Sequence, residues 1–199
     1  ALAVLKRIPG RVVPAYFVGQ VVGAVLGGLT IWAIAERAST ASALGRSWTG
    51  VGDTNFATNR WTGEFMGFWP MVIVEVVLTA ILVLAVLSTT SAKHPSPGAI
   101  GLQLGTVLAL IHLVAVPVDN GSVNPVRSMG MAVIAGGESL EQLWGFVAFP
   151  AVGALLGAAL WSVIGDPPPD VDERAMSARA SVRAAAARAT ASIQDAVDE

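Results

Sequence analysis

The stretch "DNGSVNPVRSMG", residues 119–130, places an Asn-Pro pair and an arginine directly after a long apolar segment. An ionisable side chain such as Arg127 is costly inside a membrane and by default indicates function. The residues that follow, "MGMAVIAGG" at 129–137, are apolar but too few to cross a bilayer. With proline suited to a first helical turn and glycine to a helix end, the pattern predicts a half-helix over 125–135 that enters the membrane from one side.

The composition of the whole chain agrees with a membrane location. Of its 199 residues 54% are apolar and 13% charged, and the mean hydropathy is +0.65, which is too apolar for an ordinary soluble domain. The net charge is −2 and the basic residues form no stripe, so nucleic-acid binding is not predicted. With no cysteine and two histidines, neither a disulfide framework nor a metal site is expected.

No enzyme is predicted either. The sequence has no serine, histidine and carboxylate at usable spacing, no phosphate-binding loop and no clustered metal ligands. We expect no cofactor.

Four windows are long and apolar enough to cross a membrane, which predicts an all-α membrane protein. None of the windows has a polar face, so a soluble helical core is disfavoured. The predicted spans are 13–35, 67–87, 98–118 and 142–164. Residues 1–165 would form the transmembrane domain, and residues 166–199 an Ala- and Arg-rich cytoplasmic tail, either helical or solvated and frayed.

Small residues four apart predict close packing between the spans, because they let helix backbones approach in lipid. The spacing occurs in three of the four spans. The residues are Gly19, Gly23 and Gly27, then Gly101 and Gly105, then Gly153 and Gly157.

The distribution of lysine and arginine predicts that both termini lie in the cytoplasm. Basic residues precede the first span, lie between the second and third, and recur in the tail, whereas the loop between the first and second spans mixes both signs. The segment 119–141 would then approach from outside.

Two side chains of the opening stretch are candidates for handling solutes. Arg127 offers a permanent positive charge and five donors. Asn124 stands at the tip of the half-helix, where the helix dipole is positive. Together they would orient a water oxygen and repel cations, including hydronium. The simpler alternatives are that Arg127 reaches back to the interface and that Asn124 is only a helix N-cap.

Three polar residues inside the spans leave alternatives open. His112 either lines a pore or is a buried core histidine. Glu75 either accepts hydrogen bonds from the backbone of a re-entrant loop or relays protons in a transporter, which is disfavoured because it is the one carboxylate expected inside a span. Gln20 leaves the same two alternatives open, although an uncharged amide costs less free energy inside a membrane than a carboxylate does.

Residues 1–165 resemble the aquaporin (major intrinsic protein) family. "SVNPVRS" is similar to the second Asn-Pro-Ala loop of that family and its pore arginine, and "IHLVAVPV" to the helix before that loop. "RIPGRVVPAYFVGQVVGA" resembles the third helix, "MVIVEVVLTAILVLAVL" the fourth and "LEQLWGFVAFPAVGALLGA" the sixth. The resemblance implies a right-handed helical bundle that lies in the cell membrane and passively conducts water as a homotetramer with one pore per subunit.

The resemblance also implies roles for individual residues. Asn124, Pro125 and Val126 would form the Asn-Pro-Ala-like motif, with Asn124 at the pore centre. His112, Gly121 and Arg127 would form the selectivity constriction, and Glu75 and Gln20 would brace the re-entrant loop. Histidine in the constriction and Ser128 after the arginine favour water over glycerol.

Two departures from the family pattern qualify these expectations. Val126 replaces the alanine of the motif, and with the small Gly121 it keeps a glycerol or small neutral solute facilitator as the alternative. The first two helices and the first Asn-Pro-Ala loop are not among these residues, so the 199 residues alone are not expected to form a selective pore. A non-conducting truncated remnant is the other alternative.

Overall fold

A computed structural model describes residues 1–38, 57–63, 65–91 and 99–166. Within these ranges the chain forms one 3-10 turn and six α-helices. The turn is Gly10–Val12, and the helices are α1 (Val13–Ala38), α2 (Phe68–Thr89), α3 (Ile100–Asp119), α4 (Pro125–Ala135), α5 (Gly137–Glu141) and α6 (Leu143–Ile164). The tail predicted over 166–199 lies outside the described residues beyond Asp166.

Four of these helices, α1, α2, α3 and α6, are long and apolar enough to cross a membrane. The shorter α4 has proline at its first turn, and its C-cap Gly136 has a φ of 65°, a left-handed conformation that glycine adopts without strain. The predicted fold class, an all-α membrane bundle with a re-entrant half-helix, is confirmed, and the described residues contain no strand.

The α2–α6 contact uses the small residues that the sequence predicted. A Cβ atom added to Gly157 would lie 2.8 Å from the carbonyl oxygen of Ala80, and one added to Gly153 would collide with the carbonyl of Val76. Both glycines of α6 therefore allow close backbone approach, which increases van der Waals contact where lipid supplies no hydrophobic driving force.

The packing prediction is wrong for α1 and α3 within the described residues. A Cβ atom added to any of their predicted glycines would meet nothing within 4 Å; these are Gly19, Gly23, Gly27, Gly101 and Gly105. Helix α1 instead contacts the half-helix α4, where a Cβ atom on Gly130 would lie 2.7 Å from the carbonyl oxygen of Ala24. A four-residue spacing defines a helix face, but only the neighbouring helix decides which face is covered.

Buried polar side chains concentrate where α3 ends and α4 begins. They are at most 3% exposed and come from two segments far apart in sequence. Thr58 and Asn59 belong to residues 57–63, and Asp119, Ser122 and Ser128 to the α3–α4 region. Since buried polar groups need hydrogen-bond partners, this region is where the chain is most constrained by polar contacts.

Candidate functional site

The loop that links α3 to α4, residues 120–124, has an unusual backbone. Asn120 ends α3 with a φ of 70°, and Val123 has a φ of 43°. The left-handed region is strained for a β-branched residue and persists only where surrounding contacts hold it. The conformation of the loop therefore depends on specific partners.

Glu75 supplies two of those contacts. Its side chain is fully buried in α2, and its carboxylate oxygens accept hydrogen bonds from the backbone N–H groups of Ser122 and Val123, both at 2.8 Å. Charge-assisted bonds of this kind are stronger than neutral ones, and they satisfy both the buried carboxylate and the donors. The geometry is that of a residue bracing the loop.

Asp119 is a second carboxylate that the sequence reasoning missed. It is fully buried at the end of α3, and its Oδ1 accepts a hydrogen bond from the N–H of Gly121 at 2.8 Å. Two carboxylates thus hold three consecutive N–H groups of the loop. The premise that only Glu75 is a carboxylate within the spans is wrong. A signal existed, because aspartate often bonds the N–H two residues further on, where a chain turns.

Asn124 caps the half-helix. Its Oδ1 accepts hydrogen bonds from the N–H groups of Val126, at 3.1 Å, and of Arg127, at 3.4 Å. Its Nδ2 makes no hydrogen bond to any residue in the described part of the chain, and the side chain is exposed to a groove. The N-cap and donor interpretations are therefore compatible, since the oxygen caps α4 and the amide nitrogen remains available.

The groove lies between α1 and α4 and has a volume of about 430 Å³. Three polar side chains line it, namely those of Gln20, Asn124 and Arg127. The remaining wall is apolar and comprises Ala24, Gly27, Gly28, Ile31, Ala57, Val126 and Met131. Few hydrogen-bonding groups among apolar walls are typical of sites for small molecules.

Arg127 lies half-buried at one end of this groove. Its Nη1 donates to Oδ1 of Asn59 at 2.5 Å, and its Nη2 donates to the carbonyl oxygen of Asn120 at 3.4 Å. Both acceptors are neutral, so neither contact cancels the charge of the guanidinium. Asn59 is a functional candidate that the sequence gave no reason to select, because it lies in a polar segment without a motif.

His112 and Gly121 form a neighbouring pair. The ring Nδ1 of His112 lies 2.8 Å from the carbonyl oxygen of Leu108, one turn earlier in α3. A Cβ atom on Gly121 would lie 3.4 Å from Cδ2 of the same ring, an ordinary van der Waals distance, so the ring lies beside the loop. The structure brings Asn124 and Arg127 to the groove, whereas His112 is not among the residues that line it.

The bracing role predicted for Gln20 stays a prediction. Gln20 lines the groove on α1, and across the described residues its side chain makes no hydrogen bond to the loop. The N–H groups of the loop are already bonded to Glu75 and Asp119. Pro125 occupies the first turn of α4, and Val126 is 8% exposed in the groove wall.

The described residues contain no group of three or more histidine, aspartate or glutamate side chains that could hold a metal ion. The polar groups of the site are instead an amide, a guanidinium and backbone atoms. Such groups bind and orient small polar molecules through hydrogen bonds.

Comparison with known proteins decides the family. The family model described as "Major intrinsic protein" matches residues 1–161. The chain belongs to the major intrinsic protein family. It is 36% identical over 160 residues to "Aquaporin Z" of Brucella melitensis, which covers 80% of this chain and 67% of that protein. It is 35% identical over 165 residues to "Glycerol uptake facilitator protein-like 6" of Lactiplantibacillus plantarum, which covers 83% of this chain and 70% of that protein.

Membership of the major intrinsic protein family explains the composition and the four apolar helices. The chain is a multi-pass membrane protein of a channel family that transports water or small solutes. The two relatives are named for different solutes and are nearly equally similar to it.

Proposed function

We propose that this protein passively conducts water, as part of a complete six-helix channel subunit. The observation that carries the proposal is the groove between α1 and α4, where the free amide nitrogen of Asn124 and the guanidinium of Arg127 lie on one side. Gln20 of α1 is the other polar side chain of the groove, and its remaining lining residues are apolar. A molecule that passes through the groove therefore meets a few hydrogen-bond donors and mostly apolar surface.

The chemistry of the groove suits water and opposes cations. The donors of Asn124 and Arg127 orient the oxygen of a water molecule, and apart from the Gln20 amide the other side chains of the groove are apolar and do not compete for it. The positive end of the α4 dipole and the fixed charge of Arg127 raise the energy of any cation, including hydronium. The guanidinium of Arg127 stays protonated, and its two hydrogen bonds go to an amide oxygen and a backbone carbonyl.

We propose that His112, Gly121 and Arg127 form the selectivity constriction. The proximity of His112 to Gly121 supports this, because the ring lies beside the loop that leads to the half-helix. A histidine ring is bulky and polar, so it would narrow the passage and add a hydrogen-bonding group. Both effects favour water over a polyol.

A glycerol or small neutral solute facilitator is the second candidate. Gly121 has no side chain to narrow the passage, and a relative named as a glycerol uptake facilitator is 35% identical to this chain. Val126 lies in the groove wall, where it adds apolar surface that would contact the carbon backbone of a polyol.

We further propose that the protein is a homotetramer in the cell membrane with both termini in the cytoplasm. Large apolar side chains on α1, α3 and α6 are exposed in the isolated chain, which suits contact with lipid and with other subunits. The orientation rests on the positions of lysine and arginine.

Osmotic shrinkage of vesicles that contain the complete six-helix subunit tests the proposal. A sucrose gradient should shrink them several-fold faster than empty vesicles, and a glycerol gradient should show no faster glycerol entry. Fast glycerol entry would favour the facilitator. If neither solute gradient distinguishes protein vesicles from empty ones, both channel functions are refuted and the non-conducting alternative is supported.

A further inference from the structure

Asn59 uses every hydrogen-bonding group of its side chain except one N–H. It is 3% exposed, its Nδ2 donates to the carbonyl oxygen of Asp119 at 3.1 Å, and its Oδ1 accepts from Nη1 of Arg127 at 2.5 Å. The same oxygen accepts from Oγ of Ser128 at 2.7 Å. A single amide therefore joins the end of α3 to the first turns of α4.

The hydrogen bond to Asn59 is the shorter of the two that hold the Arg127 side chain. The other, to the carbonyl oxygen of Asn120, is 0.9 Å longer, at 3.4 Å against 2.5 Å. A hydrogen bond of 3.4 Å is near the limit at which such contacts remain favourable. Because an arginine side chain is long and flexible, loss of the short bond would leave the guanidinium able to swing across the groove that it lines.

Asn59 belongs to a segment that other contacts hold in place. We call residues 57–63 the strap. The N–H of Trp61 donates to Oε1 of Gln142 at 2.9 Å, and Nε2 of Gln142 donates to Oγ1 of Thr62 at 3.0 Å. The Trp61 ring packs against Phe146, with centroids 5.7 Å apart. None of these contacts involves Arg127, so the strap presents Asn59 as a fixed acceptor, which is what precise positioning requires.

The Asn59 oxygen that accepts the hydrogen bond from Arg127 belongs to a neutral amide, so it adds no negative charge beside the guanidinium. A carboxylate in the same place would bind the guanidinium at least as well but would cancel its charge. An amide oxygen holds Arg127 against the wall and leaves the positive charge in place. This combination suits a groove that is both open and unfavourable for cations.

We infer that Asn59 is a positioning residue that holds Arg127 on the wall of the groove without neutralising it, and thereby sets both the permeability to water and the exclusion of cations. The inference rests on the proposed function as a water channel. It assigns a role in selectivity to the strap, which contains none of the residues that the sequence motifs identify.

Two substitutions of Asn59 test separately whether it holds Arg127 in place and whether its neutral side chain leaves the positive charge of Arg127 uncompensated. In vesicles, Asn59→Ala should lower water permeability several-fold, because Arg127 loses its anchor. Asn59→Asp should keep the anchor and most of the water permeability but increase proton entry, measured with an enclosed pH dye, several-fold. A role limited to stability would move both variants in the same direction in both measurements.

Thr62→Val is the matched control, because it removes two hydrogen bonds of the strap, to Glu138 and Gln142, without touching Arg127. It should leave the water permeability and proton entry unchanged at equal amounts of folded protein. The inference is overturned if Thr62→Val lowers water permeability as much as Asn59→Ala does. It is also overturned if Asn59→Ala conducts like the unmodified protein, or if Asn59→Asp shows no increase in proton entry while the unmodified protein conducts water.

A measurement independent of conduction distinguishes failure of this inference from failure of the proposed function. Nitrogen NMR of the bilayer-embedded protein detects the rotation of arginine side chains, and the Arg127 signal is identified by its loss in Arg127→Lys. It should be immobile in the unmodified protein and mobile in Asn59→Ala. If vesicles conduct no water, the channel proposal fails, and an equally mobile Arg127 in both proteins would separately refute the anchoring by Asn59.

Discussion

At the scale of single residues, Glu75 determines whether the loop before the half-helix keeps its strained backbone. Its two oxygens bond the N–H groups of Ser122 and Val123, and Val123 has a φ of 43°. Glutamine has one oxygen and an NH2 group, so Glu75→Gln leaves a buried N–H without an acceptor, which costs about 1–3 kcal/mol. We expect the thermal midpoint in detergent to fall by roughly 2–12 °C.

Thr79→Val is the control for this prediction. Thr79 is buried in the same helix, and its hydroxyl has no hydrogen-bond partner in the part of the chain that the structure describes. Valine has nearly the same shape, so the midpoint should stay the same or rise. A midpoint for Glu75→Gln equal to that of the unmodified protein would show that the loop does not need both hydrogen bonds.

His112 is the residue whose size should decide between water and polyols. Its ring lies against Gly121, where no side chain fills the passage. His112→Gly should increase glycerol entry into vesicles several-fold while water permeability changes little, because the substitution widens the constriction without removing Arg127. Stopped-flow light scattering in glycerol and sucrose gradients measures both. Unchanged glycerol entry would place His112 outside the constriction.

At the scale of helices, the close contact between α2 and α6 depends on glycine in α6. An added Cβ atom at Gly157 would lie 2.8 Å from the carbonyl oxygen of Ala80, so Gly157→Ala must push the helices apart. Overpacking of this kind costs about 1–3 kcal/mol, although alanine favours a helix by about 1 kcal/mol. Thermal unfolding in detergent should show a net loss of stability.

Gly105→Ala in α3 is the matched change at a site without a close neighbour in the described residues. Only the helix preference applies there, so stability should be unchanged or higher by up to about 1 kcal/mol. Equal losses for the two substitutions would contradict the assignment of the α2–α6 contact as the tight one.

The strap is held by α5 and α6 through a few polar contacts. Gln142 bonds both Trp61 and Thr62, and Oγ1 of Thr62 also donates to Oε2 of Glu138 at 2.8 Å. Gln142→Ala should therefore speed amide hydrogen exchange in residues 57–63, because the protection of these residues depends on those bonds. Exchange within α2 should not change. Equal protection of the strap in both proteins would show that the packing of Trp61 suffices to hold it.

At the scale of the whole molecule, the orientation in the membrane can be tested directly because the chain contains no cysteine. Lys6 and Glu141 are both exposed, and they lie at opposite ends of the predicted topology. With both termini in the cytoplasm, an impermeant thiol reagent added to intact cells should label Glu141→Cys and not Lys6→Cys. The reverse labelling would invert the topology that lysine and arginine predict.

The sequence by itself determined the fold class, the apolar spans, the half-helix after the Asn-Pro pair and the resemblance to the family. These features depend on local properties, namely the length of apolar runs, the missing N–H of proline and the freedom of glycine. They are present in the order of residues whatever the chain packs against.

Only the tertiary structure decided which groups meet. Arg127 and Asn59 are 68 residues apart, and Glu75 lies 47 residues from Ser122. The sequence did not identify Asp119 as a buried partner of the loop. Its burial and its hydrogen bond to Gly121 follow from the place where α3 ends and from the segments packed around it. Gly130, and not the glycine stripe of α1, contacts Ala24. Such contacts depend on how the helices are arranged in space, and a local pattern can mark a packing face, as in α6, without identifying the neighbour that covers it.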